Sequence, residues 1–408
     1  MDVDGREYVS DRGVMGLVNV ELARFDTPGC AVVTHLNNAG AALPPRVVTE
    51  TVIAHLREEA LVGGYEAAAA AGDRVEAVYD SIARLLHCGR DEIAVVESAT
   101  RAWDMAFYSL PLGPGDRILT SRAEYASNVI AFLQVARRTG ARVELVDDDA
   151  DSQISLDDLR RRLDGDVKLV ALTHVPTSGG LVNPAAEVGR IARAAGVPFL
   201  LDACQSAGQL PLDVEELGCD FLSATGRKYL RAPRGTGFLY VRRARLDTLE
   251  PPFLDLHAAD WTAPDEFRIR DDARRFESYE TSYAGKLGLG AAVDYVLSWD
   301  AEAVEDRITA LAASLRDRLR DIPGVTVHDR GARLCGIVTF TVEGHTGEEI
   351  KQALSAARVN TSVVPAAYSQ YDLRARGLPD VVRASVHYYN TEDELDLLCR
   401  SLPAARLT

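Results

Sequence analysis

Between about residues 46 and 245, short apolar runs alternate with longer segments in which apolar residues recur at helical spacing. The runs are EIAVVES, DRILTS, RVELVD, VKLVALTHV, VPFLLDA, CDFLSAT and TGFLYV. Such alternation is typical of an α/β fold in which a mostly parallel sheet carries crossover helices on both faces. TGFLYV follows CDFLSAT without a helix-length segment between them, so we expect this last strand to be antiparallel to its neighbour.

The pattern changes near residue 285, where a long helical stretch begins and short strands follow. The stretch GLGAAVDYVLSWDAEAVEDRITALAASLRDRLRDI precedes the apolar runs GIVTFTV, VNTSVV and VVRASVH. We therefore expect an N-terminal arm over residues 1–35 that packs with the small domain, a large domain over residues 36–290, and a smaller C-terminal α/β domain over residues 291–408.

The chain is acidic, with a formal net charge of −16 and a pI near 5.0. No Lys/Arg-rich run offsets this charge, so nucleic acid and anionic membrane surfaces are not expected partners. The N-terminus lacks a basic stretch followed by an apolar one, and no apolar run is long enough to span a bilayer, so the expected location is the cytoplasm. Six scattered cysteines without a CxxC pair indicate neither a disulfide framework nor a zinc site.

Polar side chains collect at the ends of two predicted strands. Asp202 lies at the end of VPFLLDA, with Gln205 soon after it. Thr225 ends CDFLSAT, and Arg227 and Lys228 follow. Ligands of open α/β sheets bind beyond the carboxyl ends of the strands, so these side chains are candidates for chemistry.

The chain contains only four lysines, and Lys228 is the one that follows a strand at this edge. Lys168 begins a strand at the opposite edge, and Lys286 and Lys351 lie in helical patterns in which a solvated ammonium group is expected. A lysine acts as an amine nucleophile where its charged form is disfavoured and a carbonyl group can reach it. We therefore expect Lys228 to be chemically active rather than a surface lysine.

Two features fit a phosphorylated ring cofactor. Asp202 emerges from an apolar run, where a carboxylate needs a cation or hydrogen bonds, and a protonated pyridine nitrogen is such a partner. Ser98, Ala99 and Thr100 stand between a strand and a helix, where free backbone N–H groups bind phosphate. Both features also have structural explanations, a turn cap for Asp202 and a helix cap for the ESAT segment.

Several motifs share an order and spacing with one known group of enzymes. They run from about Leu36 to Leu398 and are LNNAG, ESAT, AEYASN, THVPTSG, LDACQSAG, ATGRKYLRAPRGTGFLYV, RRFE and VRASVHYYNTEDEL. In these motifs the sequence resembles the class V aminotransferase family, which includes cysteine desulfurases, isopenicillin N epimerase and the C–S lyase of ergothioneine biosynthesis. The resemblance implies the PLP-dependent transferase fold (fold type I), pyridoxal 5′-phosphate (PLP) as cofactor, a small-molecule substrate of amino-acid type and a homodimer.

The resemblance also implies roles for individual residues. Lys228 would carry PLP as a Schiff base and act in catalysis, with Asp202 at the pyridine nitrogen and Gln205 near the phenolic oxygen. Further contacts to PLP are expected from Ala99, Thr100, Thr225 and Arg227 at the phosphate, from Tyr125 stacked on the ring and able to transfer a proton, from Thr177 near the phenolic oxygen, and from Thr281 at the phosphate of the neighbouring subunit.

The residues expected to bind the substrate are Arg383 and Asn38, and Arg383 would hold the α-carboxylate through its planar fork. A structural ion pair within the small domain is the alternative for Arg383. Plain core packing is the alternative for Tyr125.

The reaction is harder to predict than the cofactor. Cysteine desulfurases carry a cysteine on a loop where this chain reads VNTSVVPAAY, with Pro365 or a neighbour in its place. We therefore do not expect a persulfide-forming desulfurase. The segment VGGYEAAAA is similar to one in the ergothioneine-pathway lyases and favours a C–S lyase that works by β-elimination. An aminotransferase, an epimerase or a decarboxylating deaminase remains open on the same scaffold, as does a non-catalytic PLP-fold binding protein, whereas a dehydrogenase is disfavoured because no GxGxxG follows an early strand.

Overall fold

The computed structural model describes residues 17–404, so residues 1–16 and 405–408 are left out of the description below. The helices are α1 (Val20–Phe25), α2 (Asn38–Ala41), α3 (Arg46–Val62), α4 (Gly64–Ala70), α5 (Gly72–Leu86), α6 (Ala99–Phe107), α7 (Ala126–Thr139), α8 (Leu156–Arg162), α9 (Ala185–Ala194), α10 (Val214–Leu217), α11 (Arg243–Leu246), α12 (Tyr283–Leu297), α13 (Ala301–Arg320), α14 (Gly347–Ala356) and α15 (Glu392–Arg400). Within residues 17–404, no helix combines the length and apolar composition needed to cross a membrane.

The strands are β1 (Thr34–His35), β2 (Ile93–Val96), β3 (Arg117–Thr120), β4 (Arg142–Leu145), β5 (Val167–Thr173), β6 (Phe199–Asp202), β7 (Phe221–Thr225), β8 (Gly237–Val241), β9 (Ala259–Ala263), β10 (Glu266–Ile269), β11 (Val325–Val327), β12 (Ile337–Val342), β13 (Val359–Asn360), β14 (Ser362–Val364) and β15 (Val381–Ser385). Short 3₁₀ turns lie at Pro28–Ala31, Arg90–Glu92, Ala273–Phe276 and Ala366–Tyr368, and a π-helical turn covers Gln370–Arg374.

Seven strands form the main sheet in the order β2-β8-β7-β6-β5-β3-β4. The pairs from β7 to β4 are parallel, whereas β8 runs antiparallel to both β2 and β7. The predicted antiparallel strand is therefore confirmed. Its direction follows from the connection over residues 226–236, which contains no crossover helix.

Each face of the main sheet contributes to a separate hydrophobic core. In β6, Phe199 and Leu201 lie in one core and Leu200 lies in the other. In β7, Leu222 lies in the first of these cores and Phe221 lies in the second. Burial on both faces explains why these strands are continuous apolar runs in the sequence.

A second sheet has four antiparallel strands in the order β11-β12-β15-β14. Its core includes Val338 and Val382, together with Leu315 of α13 and Leu398 of α15. The predicted α/β fold, with a large mostly parallel sheet and a smaller one, is thus confirmed.

The long helical stretch predicted after residue 285 consists of two helices. Asp300 begins the second, because its Oδ1 accepts a hydrogen bond from the backbone N–H of Ala303 at 2.8 Å and so caps α13. The preceding helix, α12, packs against α3 and α5 and runs without a break across residue 290. The domain boundaries expected after residues 35 and 290 remain predictions.

The described part of the N-terminal arm contacts the C-terminal part of the chain. β1 pairs in parallel with β13. Arg24 of α1 donates to the carbonyl oxygen of Tyr389 at 2.9 Å and to Oε1 of Glu394 at 3.0 Å. The rest of the predicted arm, residues 1–16, lies outside the described residues.

Candidate functional site

The carboxyl ends of β5, β6 and β7 border a cleft, at the edge of the sheet where ligands of open α/β sheets bind. Its lining residues are Ser98, Ala99, Thr100, Tyr125, Asn128, Thr173, Val175, Thr177, Asp202, Cys204, Gln205, Thr225, Arg227 and Lys228. The structure therefore brings together all the residues that the sequence placed around PLP, with the exception of Thr281.

Lys228 lies in a tight turn directly after β7. The backbone N–H of Arg231 donates to the carbonyl oxygen of Lys228 at 2.9 Å, and Arg231 adopts a left-handed φ of 62°. The Lys228 side chain is 7% exposed. Burial lowers the pKa of Lys228, while Cys204 and Asp202 act in the opposite direction. The ammonium group of Lys228 therefore loses its proton more easily than that of a surface lysine.

Asp202 is the last residue of β6 and is 5% exposed. Its Oδ1 accepts a hydrogen bond from the backbone N–H of Cys204 at 2.8 Å, and its Oδ2 accepts one from Nδ2 of Asn128 at 3.1 Å. Burial raises the pKa of Asp202, and the Cys204 hydrogen bond and the charge of Lys228 oppose that rise. A carboxylate in this position can take the N–H of a protonated ring nitrogen.

Gln205 has an unsatisfied oxygen in the cleft. Its Nε2 donates to the carbonyl oxygen of Ala39 and to Oγ1 of Thr177, each at 3.0 Å. Its Oε1 is buried and has no hydrogen-bond partner within residues 17–404. Because buried polar atoms are nearly always paired, this oxygen is available to accept a hydrogen bond from a ligand in the cleft.

The other end of the cleft contains the N-terminus of α6. Ser98 Oγ accepts from the backbone N–H of Arg101 at 3.2 Å and caps the helix. The first N–H groups of a helix have no partner within it, so this end can bind phosphate. A Cβ on Gly237 would lie 2.8 Å from the carbonyl carbon of Ser98, so glycine at this position allows β8 to approach the helix.

Arg383 comes from β15 of the second sheet and is 6% exposed. Its Nη1 donates to the carbonyl oxygen of Thr177 at 3.2 Å and to the Thr177 hydroxyl, and its Nη2 lies 3.5 Å from Oδ1 of Asn37. Its Nε is buried without a partner among the described residues. Burial lowers the pKa of Arg383 to about 10, so the guanidinium stays charged at neutral pH.

The structure does not support the substrate contact predicted for Asn38. This side chain is fully buried, its Nδ2 donates to the carbonyl oxygen of Ser385 at 2.7 Å, and its Oδ1 accepts from the Tyr389 hydroxyl. These bonds tie α2 to the strand and turn beside it. The preceding residue, Asn37, faces Arg383 instead.

Thr281, like Asn38 and Arg383, is a predicted site residue that does not line the cleft. It lines a different cleft, together with Glu97, Thr236 and Lys286. Its expected contact with the phosphate of a neighbouring subunit remains a prediction.

Sequence reasoning missed Glu124 and Asn128, which lie beside Asp202. Asn128 Nδ2 donates to Oε1 of Glu124 at 2.9 Å as well as to Asp202. The available signal was the AEYASN motif, which places an acid and an amide four residues apart at a helix start and therefore on one side of that helix.

The expectation of a solvated ammonium group holds for Lys351 and is wrong for Lys286. Lys286 is 5% exposed, and its Nζ lies 3.2 Å from Oε2 of Glu277 and 3.0 Å from the Tyr79 hydroxyl. The lysine is inside because α12 is surrounded by other elements, and a buried acid compensates its charge.

The sequence profile described as Aminotransferase class-V matches residues 33–398. The chain belongs to the class V aminotransferase family. A relative in Xylella fastidiosa (strain 9a5c), named probable cysteine desulfurase, is 32% identical over 380 residues, which are 91% of this chain and 90% of the relative.

Solved structures of the class V aminotransferase family agree with this assignment. The apo structure of a cysteine desulfurase from Thermococcus onnurineus NA1 superposes with a TM-score of 0.86 at 25% identity and covers 93% of this chain and 96% of that one. A variant of C-DES with glycine covalently linked to PLP superposes with a TM-score of 0.83 at 25% identity, with coverages of 93% and 98%. PLP is the cofactor of this class V enzyme, and the cleft around Lys228 fits it.

The predicted reaction is wrong. We expected a C–S lyase and excluded a persulfide-forming desulfurase because VNTSVVPAAY lacks a cysteine. Relatives that cover about nine-tenths of both chains are instead named cysteine desulfurases, as is the structural neighbour from Thermococcus. The absence of one loop residue is weaker support than similarity along the whole chain, since the thiol that accepts sulfur need not come from that loop.

Proposed function

We propose that the chain is a PLP-dependent cysteine desulfurase, which takes sulfur from L-cysteine and leaves L-alanine. The observation that carries the proposal is one cleft in which buried Lys228 and Asp202 fit PLP. Beside it, the buried guanidinium of Arg383 donates to Thr177 of the cleft and keeps an Nε without a partner among the described residues. The choice of this reaction within the family rests on the names of the relatives.

When bound, PLP supplies a sink for the electron pair that becomes available at the α-carbon of the amino acid. We assign proton transfer at that carbon to the Lys228 amine, because burial favours its neutral form. Asp202 would accept the proton of the ring nitrogen, and the free Oε1 of Gln205 would accept a hydrogen bond from the phenolic O–H. Tyr125, which precedes α7 and is 37% exposed, would stack on the ring.

The phosphate of PLP is assigned to the N-terminus of α6, with Ala99 and Thr100, and to Thr225 and Arg227 across the cleft. Arg227 donates to the carbonyl oxygen of Gly40, which holds its side chain at the rim of the cleft.

The amino-acid substrate is assigned to Arg383 through its α-carboxylate. Nη1 donates to Thr177 and Nη2 lies 3.5 Å from Oδ1 of Asn37, while Nε has no partner among the described residues and can donate to a carboxylate. A buried guanidinium without an acid is costly, and a bidentate carboxylate removes that cost.

The sulfur acceptor is assigned to a thiol from solution. No cysteine lies between Cys335 and Cys399. Cys204 lines the cleft, but burial raises the pKa of its thiol, against the opposing charge of Lys228, which makes it a poor nucleophile at neutral pH. In the balanced reaction, cysteine and a thiol RSH give alanine and the persulfide RSSH, and a second RSH releases sulfide and leaves the disulfide RSSR.

A homodimer is proposed on the basis of large exposed apolar side chains, which mark interaction surfaces when they cluster. Trp261 and Phe267 face each other across the β9–β10 hairpin and are 74% and 57% exposed. Leu61 and Tyr65 are also exposed, at 80% and 79%. Light scattering that gives the mass of one chain at micromolar concentration would contradict the dimer.

The test of the reaction is a product analysis. The PLP-loaded chain is incubated with L-cysteine and a thiol, and alanine, sulfide, pyruvate and ammonia are measured. We expect alanine and sulfide in equal amounts, and at least roughly a hundredfold less of both from the Lys228→Ala variant. Pyruvate and ammonia in place of alanine would contradict the proposal.

A further inference from the structure

One amide group connects two buried acids at the side of the cleft. Nδ2 of Asn128 donates to Oδ2 of Asp202 at 3.1 Å and to Oε1 of Glu124 at 2.9 Å. All three residues are buried: Asn128 is 2% exposed, Asp202 is 5% exposed and Glu124 is 8% exposed. Asp202 is the member of this group that faces the ring of PLP in the proposed function.

Glu124 is itself fixed to the main sheet. Its Oε2 accepts from the hydroxyl of Thr120 on β3 at 2.9 Å, and its Oε1 accepts from the hydroxyl of Thr173 on β5 and from the backbone N–H of Tyr125 at 2.7 Å. Asn128 is therefore attached to a carboxylate that two strands hold in place, and its amide has little freedom to rotate.

The consequence falls on Asp202. A carboxylate has about four lone pairs, and on Asp202 the Cys204 N–H takes one on Oδ1 and Asn128 takes one on Oδ2. With both oxygens held, the plane of the carboxylate is defined and the remaining lone pairs are available to the cleft.

We propose that Asn128 and Glu124 are positioning residues that orient the Asp202 carboxylate towards the pyridine nitrogen of PLP. The inference rests on the proposed role of Asp202. Burial raises the pKa of both Glu124 and Asp202, and the charge of Lys228 opposes this rise at Asp202. A protonated ring nitrogen adds a positive charge beside the two acids and favours the ionised carboxylate of Asp202. The pair therefore supports the protonated ring as well as its position.

The first test compares two equally buried asparagines. Asn183 is also 2% exposed and makes two hydrogen bonds, to the carbonyl oxygen of Thr173 at 2.8 Å and from the N–H of Ile154 at 3.3 Å, but it does not line the cleft. We expect Asn128→Ala to raise the dissociation constant of PLP about tenfold to a hundredfold, the usual range for a lost hydrogen bond to a charged group. Asn183→Ala should leave it unchanged.

The second test uses Glu124→Gln, which keeps the shape and an acceptor oxygen but removes a charge. Glu124 is faced by Asp202 from the end of β6 and by the uncharged Thr120 and Thr173, and Asp202 is faced by Lys228. With less negative charge nearby, bound PLP should lose its proton more easily. We expect the pH midpoint of the visible absorption change to fall, a shift that a purely structural role would not produce.

The inference is wrong if Asn128→Ala binds PLP as tightly as the wild type or if Glu124→Gln leaves the midpoint where it was. If Asn128→Ala does not fold, the Glu124→Gln spectrum decides alone. The Asp202→Asn variant distinguishes a failure of the positioning role from a failure of the proposed role of Asp202. An unchanged spectrum in that variant would contradict the role of Asp202 itself. Neither measurement requires turnover of cysteine, so a failure of the proposed reaction would be seen separately.

Discussion

Nζ of Lys286 lies 3.2 Å from Oε2 of Glu277, and both side chains are almost completely buried, at 5% and 2% exposure. Glu277 also accepts from the Tyr79 hydroxyl at 2.7 Å and from the N–H of Val95 at 2.7 Å. This ion pair ties α12 to β2 and α5 in the interior. Removal of Lys286 takes the permanent positive charge away from buried Glu277 and leaves the ring of His257, 3.3 Å from its Oε2, as a basic neighbour. The loss is larger than the pair itself is worth.

We therefore expect Lys286→Met to lower the free energy of unfolding by about 3 to 5 kcal/mol, as measured by denaturant titration. Lys351→Met is the matched control, because Lys351 makes a surface pair with Glu348 and should cost under about 1 kcal/mol. Equal effects of the two substitutions would show that the Glu277 pair does not stabilise the fold.

The same pair should control the response to acid. Burial acts to raise the pKa of Glu277, but the His257 hydrogen bond, the charge of Lys286 and the hydrogen bonds from Val95 and Tyr79 outweigh it, and the net pKa is lowered. A carboxylate with a lowered pKa contributes stability that is present above its unfolded pKa of about 4.3 and is lost as pH falls through the folded pKa. Acid unfolding followed by circular dichroism should occur at higher pH in Lys286→Met than in the wild type.

Lys228→Ala should abolish the borohydride-reducible link between the chain and PLP, because no other lysine lines the cleft. We expect alanine production to fall at least roughly a hundredfold, the lower range for a lost proton-transfer group, with an unchanged circular dichroism spectrum. A reducible link that survives would place PLP on another lysine.

Arg383→Lys keeps a positive charge but loses the planar fork. We expect KM for cysteine to rise about tenfold to a hundredfold while PLP absorption stays the same. Arg333→Lys, at a half-exposed surface pair with Glu305, is the control and should behave as the wild type. An unchanged KM in Arg383→Lys would make this arginine structural.

Alanine formation should depend on added thiol and rise with its concentration, because the proposed sulfur acceptor comes from solution. Mass spectrometry of the chain after incubation with cysteine alone should show no added sulfur atom. A sulfur atom found on the peptide that contains Cys204 would instead identify an acceptor within the chain.

Much of the fold could be predicted because the strands of the main sheet are buried on both faces and appear as continuous apolar runs. The same runs locate Asp202 and Lys228, because ligand-binding residues of such sheets lie at the carboxyl ends of the strands. Lys286 could not be placed in this way. Its helix is buried on nearly all sides, so it lacks a polar face, and its partner Glu277 lies in a segment without a regular pattern.

Two other predictions, the substrate contact of Asn38 and the type of reaction, depended on details that the sequence motifs do not carry. The LNNAG motif does not distinguish Asn37 from Asn38, because which of the two faces the cleft depends on the turn into α2. The reaction was mispredicted from a single missing cysteine, although a sulfur acceptor can come from outside the protein.

The parallel strands of the main sheet carry Asp202 and lead into Lys228, whereas Arg383 comes from β15 of the smaller, antiparallel sheet. In the proposed function, the binding of PLP and the recognition of the amino acid would therefore depend on different parts of the chain. A preparation in which the smaller sheet has unfolded could still bind PLP, and so be yellow, without binding cysteine. The absorption of bound PLP would then overestimate the fraction of active protein. Active-site titration with substrate measures that fraction directly.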